Sequence, residues 1–466
     1  MNYLLKKFLC GVLFTALLVT SVPTAFIMAK PEATWPEAPE ITSESAIVLE
    51  ASTGTVIYNK SGYDAYSPAS TTKLMTALLA IEQAPLSDIV TCSYDSVNNI
   101  GWDSSRIGLE AGEQIDMENA LYAILLASAN EVSYAVAEHV GGSYRRFVNM
   151  MNERAKDLGC VNTNFNNPHG LDDPQHYSCA YDLALIARKA IEYTTFCRIS
   201  QASYREIPPT NMNVSRVFGN THQILRKKIT CEGVFAGKTG STSKAGNCLI
   251  TCAERNGMTL ICVILKAPDS NTVYNETISL INFAYDNFTL ASLNTSDTNN
   301  KNAFPYLFSD EEALISDVSN PLAITDTTLV LPKDASYQNL VKDISLTPVD
   351  ELTAGDNIIG EVNYYYAGNL VGVADIVYYS ANDVIINAPP TEIPEEEKDT
   401  DGDGIPDFED PDIYTPAVSE PVEQDYRPFI IGAIVAAIIL VCGLYLVIVE
   451  IPYQKRKKEY YRNRRR

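Results

Sequence analysis

Apolar and polar positions along this 466-residue chain change period several times, and each change marks an element. Ala46 to Ala51 and Thr55 to Asn59 are β-runs joined by Ser52-Thr53-Gly54, the composition of a hairpin turn. Apolar residues then recur at helical spacing from Leu74 to Ile81 and from Leu121 to Val140. Two further β-runs between Cys248 and Leu265 flank Asn256-Gly257, a strong short-range hairpin signal. From Tyr274 to Phe288 the helical period returns, with Ile278, Ile281, Tyr285 and Phe288 on one stripe. Strands at both ends with helices between them predict an α+β domain over residues 44–290, one antiparallel sheet packed with a helical group.

Around this core the pattern predicts further parts. Residues 30–43 are Pro- and Glu-rich and read as a leader arm, and residues 291–302 as a polar linker. Short β-runs at Thr328 to Leu331, Ile358 to Tyr366 and Leu370 to Tyr379 predict a small all-β domain over 303–388. Residues 389–428 read as an acidic, Pro-rich stalk. At the N-terminus Lys6 and Lys7, the apolar run Phe8 to Val19 and small residues near Ala25 and Ala29 read as a signal peptide, residues 1–29. Phe429 to Val449 is an uncharged run of 21 residues, enough for a transmembrane helix. The basic tail 450–466 behind it predicts a single-pass cell-membrane protein with a cytoplasmic tail and its folded domains outside.

Charge narrows the function. The chain carries 35 basic and 58 acidic side chains, and residues 30–428 alone carry 25 against 56, a net of −31. Such a surface repels phosphate backbones and argues against nucleic acid as a partner. Eight cysteines lie between the two ends, and their pairing cannot be read from spacing. Cys248 and Cys252, four apart on one strand, would stand about 13 Å apart, too far to bond, and a turn at Asn256-Gly257 puts Cys262 on the opposite face. His169, His176 and Cys179 match no standard zinc spacing and read as structural.

Three short segments carry chemistry. Ser70-Thr71-Thr72-Lys73 opens the first helical run, where Ser and Lys three apart share a face. A Lys amine can take the Ser proton only when neutral, and burial lowers its pKa. Ser128-Ala129-Asn130 places polar groups inside an apolar helical stretch, where they need partners or a function. Lys238-Thr239-Gly240 stands at a strand edge just before the Cys248 run. Each has decoys, such as Ser241 to Lys244 and Lys60 to Gly62, but only this ordered triplet has the helix, helix and strand-edge contexts.

The triplet resembles the three motifs of penicillin-binding proteins and serine β-lactamases. Asn167-Pro168-His169-Gly170-Leu171-Asp172 brings it closer to the low-molecular-mass D-alanyl-D-alanine carboxypeptidases, over residues 40 to 290. The resemblance implies a serine peptidase acting on peptidoglycan stem peptides that end in D-Ala-D-Ala, with β-lactam antibiotics as covalent inhibitors and no catalytic cofactor. It implies Ser70 as nucleophile, Lys73 as its base, Ser128 as proton relay and Asn130 as the holder of Lys73 and the substrate amide. Lys238 and Thr239, followed by Gly240, would bind the terminal carboxylate, and the backbone N–H groups of Ser70 and Ser241 would form an oxyanion hole. Some relatives carry an Arg before the third motif; here the stretch reads Asn220-Thr221-His222-Gln223, leaving Thr221 as a lining residue. Many also have Gly where this chain has Ala129.

The rival readings are an endopeptidase or transpeptidase of the same clan, a β-lactamase, and an inactive wall-binding surface protein. No Glu-x-x-Leu-Asn string of class A β-lactamases occurs, and every motif side chain is kept, which disfavours the last two. One motif stands apart from the rest. Asp399, Asp401, Asp403, Asp407 and Asp410, with Gly404 at the turn, have the spacing of a calcium loop and predict a Ca2+ site in the stalk.

Overall fold

The computed structural model describes residues 33–385 apart from Trp102, residues 294–321, Pro348 and Asp350. The expected stalk with its candidate calcium loop, the expected signal peptide and the 429–449 run therefore lie outside the described residues.

The expected sheet is present. Strand β1 (Ser45–Glu50) turns into β2 (Val56–Lys60), and the chain returns much later for the remaining three strands of the sheet. Between them lie the short pair β3 (Ile89–Thr91) and β4 (Gln114–Asp116), and the hairpin β5 (Tyr204–Ile207) and β6 (Arg216–Gly219). Strands β7 (Val234–Thr242), β8 (Gly246–Arg255) and β9 (Met258–Ala267) complete an antiparallel sheet of order β2-β1-β9-β8-β7. Arg255 pairs with Met258 across Asn256-Gly257, the tight turn read from the sequence.

Both faces of this sheet are covered, which is why β1 is buried at every position. Ile47 and Leu49 face a group of seven helices, while Ala46 and Val48 face a single long helix. The seven are α1 (Lys73–Gln83), α2 (Tyr94–Asn98), α3 (Met117–Leu126), α4 (Asn130–Gly141), α5 (Tyr144–Asp157), α6 (Ala180–Ala190) and α7 (Thr194–Ser200). On the other side α8 (Ser270–Asn287) buries Val273, Leu280, Ile281 and Ala284. Truncating Leu280 or Ile281 to Ala costs about 2–5 kcal/mol. Cys248 and Cys252 belong to the helix-group core and Cys262 to the α8 core, the opposite faces that the turn predicted. All eight cysteines among the described residues are free.

Three expectations change. The apolar stretch Leu121 to Val140 is two helices, because the chain breaks at Ala127, Ser128 and Ala129. Ser128 takes a left-handed φ of 59° and the Ala129 N–H returns to the Ala123 carbonyl at 3.1 Å. This bond closes the helix end over a left-handed residue, a position that ordinarily has Gly, so nothing in the composition announced it. The polar linker starts later than residue 291, since β10 (Phe288–Leu293) pairs with β12 (Thr327–Pro332). The membrane placement is also corrected: among the described residues no helix is long and apolar enough to cross a membrane. The longest, α8, has 18 residues, but Asn275, Glu276 and Asp286 interrupt its apolar face.

The β-rich part follows the predicted runs. Strands β11 (Leu322–Ile324), β13 (Val341–Leu346), β15 (Gly355–Tyr366) and β16 (Asn369–Ser380) form one sheet, and β14 (Glu351–Leu352) pairs with β17 (Val384–Ile385). Leu329, Leu331, Val362, Tyr364, Val371 and Ile376 are its core. The leader arm is more than a spacer. Trp35 donates its ring N–H to the Ile57 carbonyl at 3.1 Å, meets the Phe288 ring in a tilted contact at 4.8 Å, and packs against both the α8 core and the β-rich core.

Candidate active site

The three motifs meet where the helical group abuts β7. Ser70 lies in a short 3-10 turn, Ala69–Thr72, that runs directly into α1. This turn starts from Ala69 at φ 48°, a region that an L residue enters only when its surroundings hold it there. Two glycines make the close packing there possible. A Cβ on Gly240 of β7 would lie 3.1 Å from the Ser70 and Thr71 nitrogens, and one on Gly170 would lie 1.8 Å from the Ala69 carbonyl oxygen.

Lys73 is fully buried at the start of α1. Its Nζ stands 3.0 Å from Ser70 Oγ, donates to Asn130 Oδ1 at 2.6 Å and donates to the carbonyl oxygen of His169. Thr76, one turn on, donates to the Pro168 carbonyl at 2.6 Å. Thus one face of α1 takes two consecutive carbonyls of the 167–171 loop. Asn167 shapes that loop by accepting from the Gly170 N–H at 2.6 Å and donating to the Leu171 carbonyl at 2.9 Å. Burial holds the Lys73 amine well below its ordinary value of 10.5; Lys238 pushes the same way and Glu131 opposes.

The helix break sets the second motif. It puts Asn130 at the head of α4 with its side chain on Lys73, and leaves Ser128 Oγ buried with no hydrogen-bond partner. A buried hydroxyl without a partner is an exception that calls for a ligand or a role. The third motif runs along β7, the edge strand of the sheet. Lys238 is buried, donates to the Thr239 carbonyl at 2.9 Å, and is lowered by burial from 10.5 to about 7. Thr221 Oγ1 lies 2.7 Å from Thr239 Oγ1, which brings the lining residue of the sequence reading into the site. Ser70, Ser105, Ser128, Thr221, Thr239 and Ser241 line one groove of about 240 Å3. Larger hollows exist, up to about 720 Å3 beside β2, but none holds these groups.

The decoy motifs are elsewhere. Ser241 to Lys244 spans the end of β7 and the turn into β8, without helical geometry, and Lys60 donates to the Ile41 carbonyl. The candidate calcium ligands Asp399, Asp401, Asp403, Asp407 and Asp410 fall outside the described residues. Several supports take their partners only from the fold, although His176 was already read as structural. Glu131 is buried and accepts from the backbone N–H groups of Ile107 and Gly108 at 2.8 and 3.0 Å, holding the segment of Ser105 against α4. His176 accepts from the Asn166 N–H at Nδ1, so its Nε2 carries the proton and donates to Thr72 Oγ1 at 2.8 Å. Burial depresses His176 to about 4 and His222 to about 3. Only burial could have revealed these, and a bare sequence shows none.

The comparisons with known proteins point the same way. Residues 32–269 match the family described as D-alanyl-D-alanine carboxypeptidase. The chain is 33% identical over 289 residues to D-alanyl-D-alanine carboxypeptidase DacF of Bacillus subtilis, covering 61% of this chain and 72% of that one. To D-alanyl-D-alanine carboxypeptidase DacA of Haemophilus influenzae it is 30% identical over 258 residues, 54% of this chain and 63% of the other. The solved structure of penicillin binding protein 5 from Haemophilus influenzae superposes with a TM-score of 0.61 at 25% identity, covering 75% of this chain and 99% of that one. With the matched region holding all three motifs, this chain belongs to the D-alanyl-D-alanine carboxypeptidase family of serine peptidases.

Proposed function

We propose that this enzyme removes the terminal D-alanine from peptidoglycan stem peptides through an acyl-enzyme on Ser70. The observation that carries the reading is the set of partners around Lys73 Nζ. A neutral amine has two N–H groups and one lone pair. Asn130 Oδ1 and the His169 carbonyl can only accept, so they take the two N–H groups. Ser70 Oγ is the one neighbour of the three with a proton to give, and the lone pair is left facing it.

The steps follow from that arrangement. Ser70 Oγ attacks the carbonyl between the two D-alanines as Lys73 takes its proton. The tetrahedral oxygen is held by the backbone N–H groups of Ser70 and Ser241, each donor being worth about 3 kcal/mol in such sites. The C–N bond breaks, and the proton reaches the departing amine through Ser128, whose hydroxyl is buried in the groove without a protein partner. Thr239 and Thr221 hydroxyls and the Lys238 ammonium receive the terminal carboxylate. Water then frees the shortened peptide and restores Ser70. A β-lactam would undergo the first step but keep its leaving nitrogen tethered.

The test is digestion of a pentapeptide-ending muropeptide and weighing of the products, together with mass mapping of penicillin label. Loss of one alanine and label on Ser70 are expected, with both absent in Ser70→Ala. Cleavage of a cross-bridge instead of the terminal residue would reassign the enzyme as an endopeptidase. Penicillin label retained in Ser70→Ala would remove the assignment of the nucleophile.

A further inference from the structure

We propose that Asp172 is a positioning residue for the oxyanion hole, its carboxylate fixing the spacing between the backbone N–H groups of Ser70 and Ser241. The inference rests on the reading of Ser70 as nucleophile. One oxygen, Asp172 Oδ1, accepts from Ser67 Oγ at 2.8 Å and from Thr242 Oγ1 at 2.9 Å. Ser67 stands three residues before Ser70, and Thr242 directly follows Ser241. The same atom therefore ties together the two chain segments that would supply the two donors.

Both segments need an external hold. The Ser67 segment enters the nucleophile turn through Ala69, whose positive φ is unfavourable for alanine and persists only if its surroundings impose it. The Ser241 segment is the end of β7, and the described sheet has no strand beyond β7 to fix that edge. Thr242 Oγ1 also accepts from the Ala245 N–H at 2.9 Å, so its bond to Asp172 pins the β7–β8 turn as well as the strand. The loop that carries Asp172 already abuts the turn: Gly170 leaves no room for a Cβ against the Ala69 carbonyl. Asp172 is exposed, so its charge is screened by water and its two accepted hydrogen bonds are what it offers. An amide oxygen can accept the same two bonds.

Oxyanion donors act on the transition state more than on the bound substrate, and a misplacement near 1 Å is worth about 100-fold. Asp172→Ala in the full chain should lower kcat on a peptide ending in D-Ala-D-Ala, and the penicillin acylation rate, about 10-fold or more, with KM changed less than about twofold. Asp172→Asn should recover to within about threefold of the unchanged protein. Ser67→Ala with Thr242→Ala should match Asp172→Ala, and adding Asp172→Ala to that pair should cost nothing further. The double variant keeps the carboxylate, so it gives the answer even if Asp172→Ala does not fold. Unchanged rates in the double variant, a loss confined to KM, or Asp172→Asn as slow as Asp172→Ala would each overturn the proposal. Mapping the penicillin label on the unchanged chain separately decides the reading of Ser70.

Discussion

Thr76 donates its hydroxyl to the Pro168 carbonyl at 2.6 Å, one residue before the carbonyl that accepts from Lys73. The two bonds come from one helix face and reach consecutive peptide groups, so the loop cannot shift at Pro168 without moving an acceptor of Lys73. Thr76→Val keeps the volume but leaves a buried carbonyl unpaired, a loss of about 1–3 kcal/mol. Thermal unfolding should show the drop, and penicillin acylation should slow as the Lys73 amine loses a fixed partner. An unchanged melting temperature would mean that water or another donor replaces the hydroxyl.

Lys73→Arg tests the base more sharply than removal of the side chain. A guanidinium keeps the donors but cannot be deprotonated in a protein. Acylation by penicillin should fall at least 100-fold, the low end of what a general base contributes. Near-normal labelling would exclude Lys73 as proton acceptor.

The two buried lysines give opposite pH limbs. Lys73 works neutral, so kcat should rise with pH as its depressed pKa is passed. Lys238 must be cationic to attract a carboxylate, so KM should climb above about pH 7. A substrate capped as the terminal amide should lack the KM limb. Lys238 also affects stability: its folded pKa lies below its unfolded one, so the unfolded chain holds the extra proton between about 7 and 10.5, and stability rises with pH across that window. Replacing Lys238 by Met removes a buried charge and should stabilise the fold by about 1–3 kcal/mol at neutral pH while weakening substrate binding. Chemical denaturation at two pH values checks both signs.

Acid should unfold the protein through its histidines. His176 at about 4 and His222 at about 3 are neutral in the fold, whereas the unfolded chain binds protons near 6.5. Stability contributed by these neutral groups is therefore present above 6.5 and falls as pH drops towards 4 and 3, by up to about 1.4 kcal/mol per pH unit for each proton. His222→Gln should flatten the slope. A pH-independent stability between 6.5 and 4 would contradict the burial argument.

Ser128 sets activity against stability. Ser128→Gly relieves a left-handed residue and removes an unpaired buried hydroxyl, and should raise stability by about 1 kcal/mol. The same change should sharply lower peptide turnover if Ser128 relays the proton. Equal turnover in the glycine variant would assign the hydroxyl no part in the reaction.

The sheet and its hairpins could be read ahead of the structure because their signals are local. The β-runs on either side of Ser52-Thr53-Gly54 marked the β1–β2 hairpin, and Asn256-Gly257 fixed the β8–β9 turn that separates Cys262 from Cys248 and Cys252. The motif triplet was legible because each segment has a recognisable local context, and Ser70, Ser128 and Thr239 of the three segments line one groove. The break at Ser128 was not, since it depends on a backbone conformation that Ser adopts only under tertiary constraint. Glu131 and Asp172 act through partners more than 20 residues away in sequence, and His176 reaches Thr72 across 104 positions, so no short window contains these interactions. The membrane placement was drawn from the chain ends, and the described part offers no helix to support it.

Trp35 gives the protein an optical gauge of its own assembly. The chain holds two tryptophans, and one of them lies against Phe288 with its ring N–H donated to the Ile57 carbonyl. Because that indole touches the core under α8 and the core of the β-rich part at once, any separation of the two exposes it to water. With Trp102 replaced by Phe, emission from Trp35 alone becomes a continuous readout of whether these two parts of the enzyme stay joined while the groove turns over.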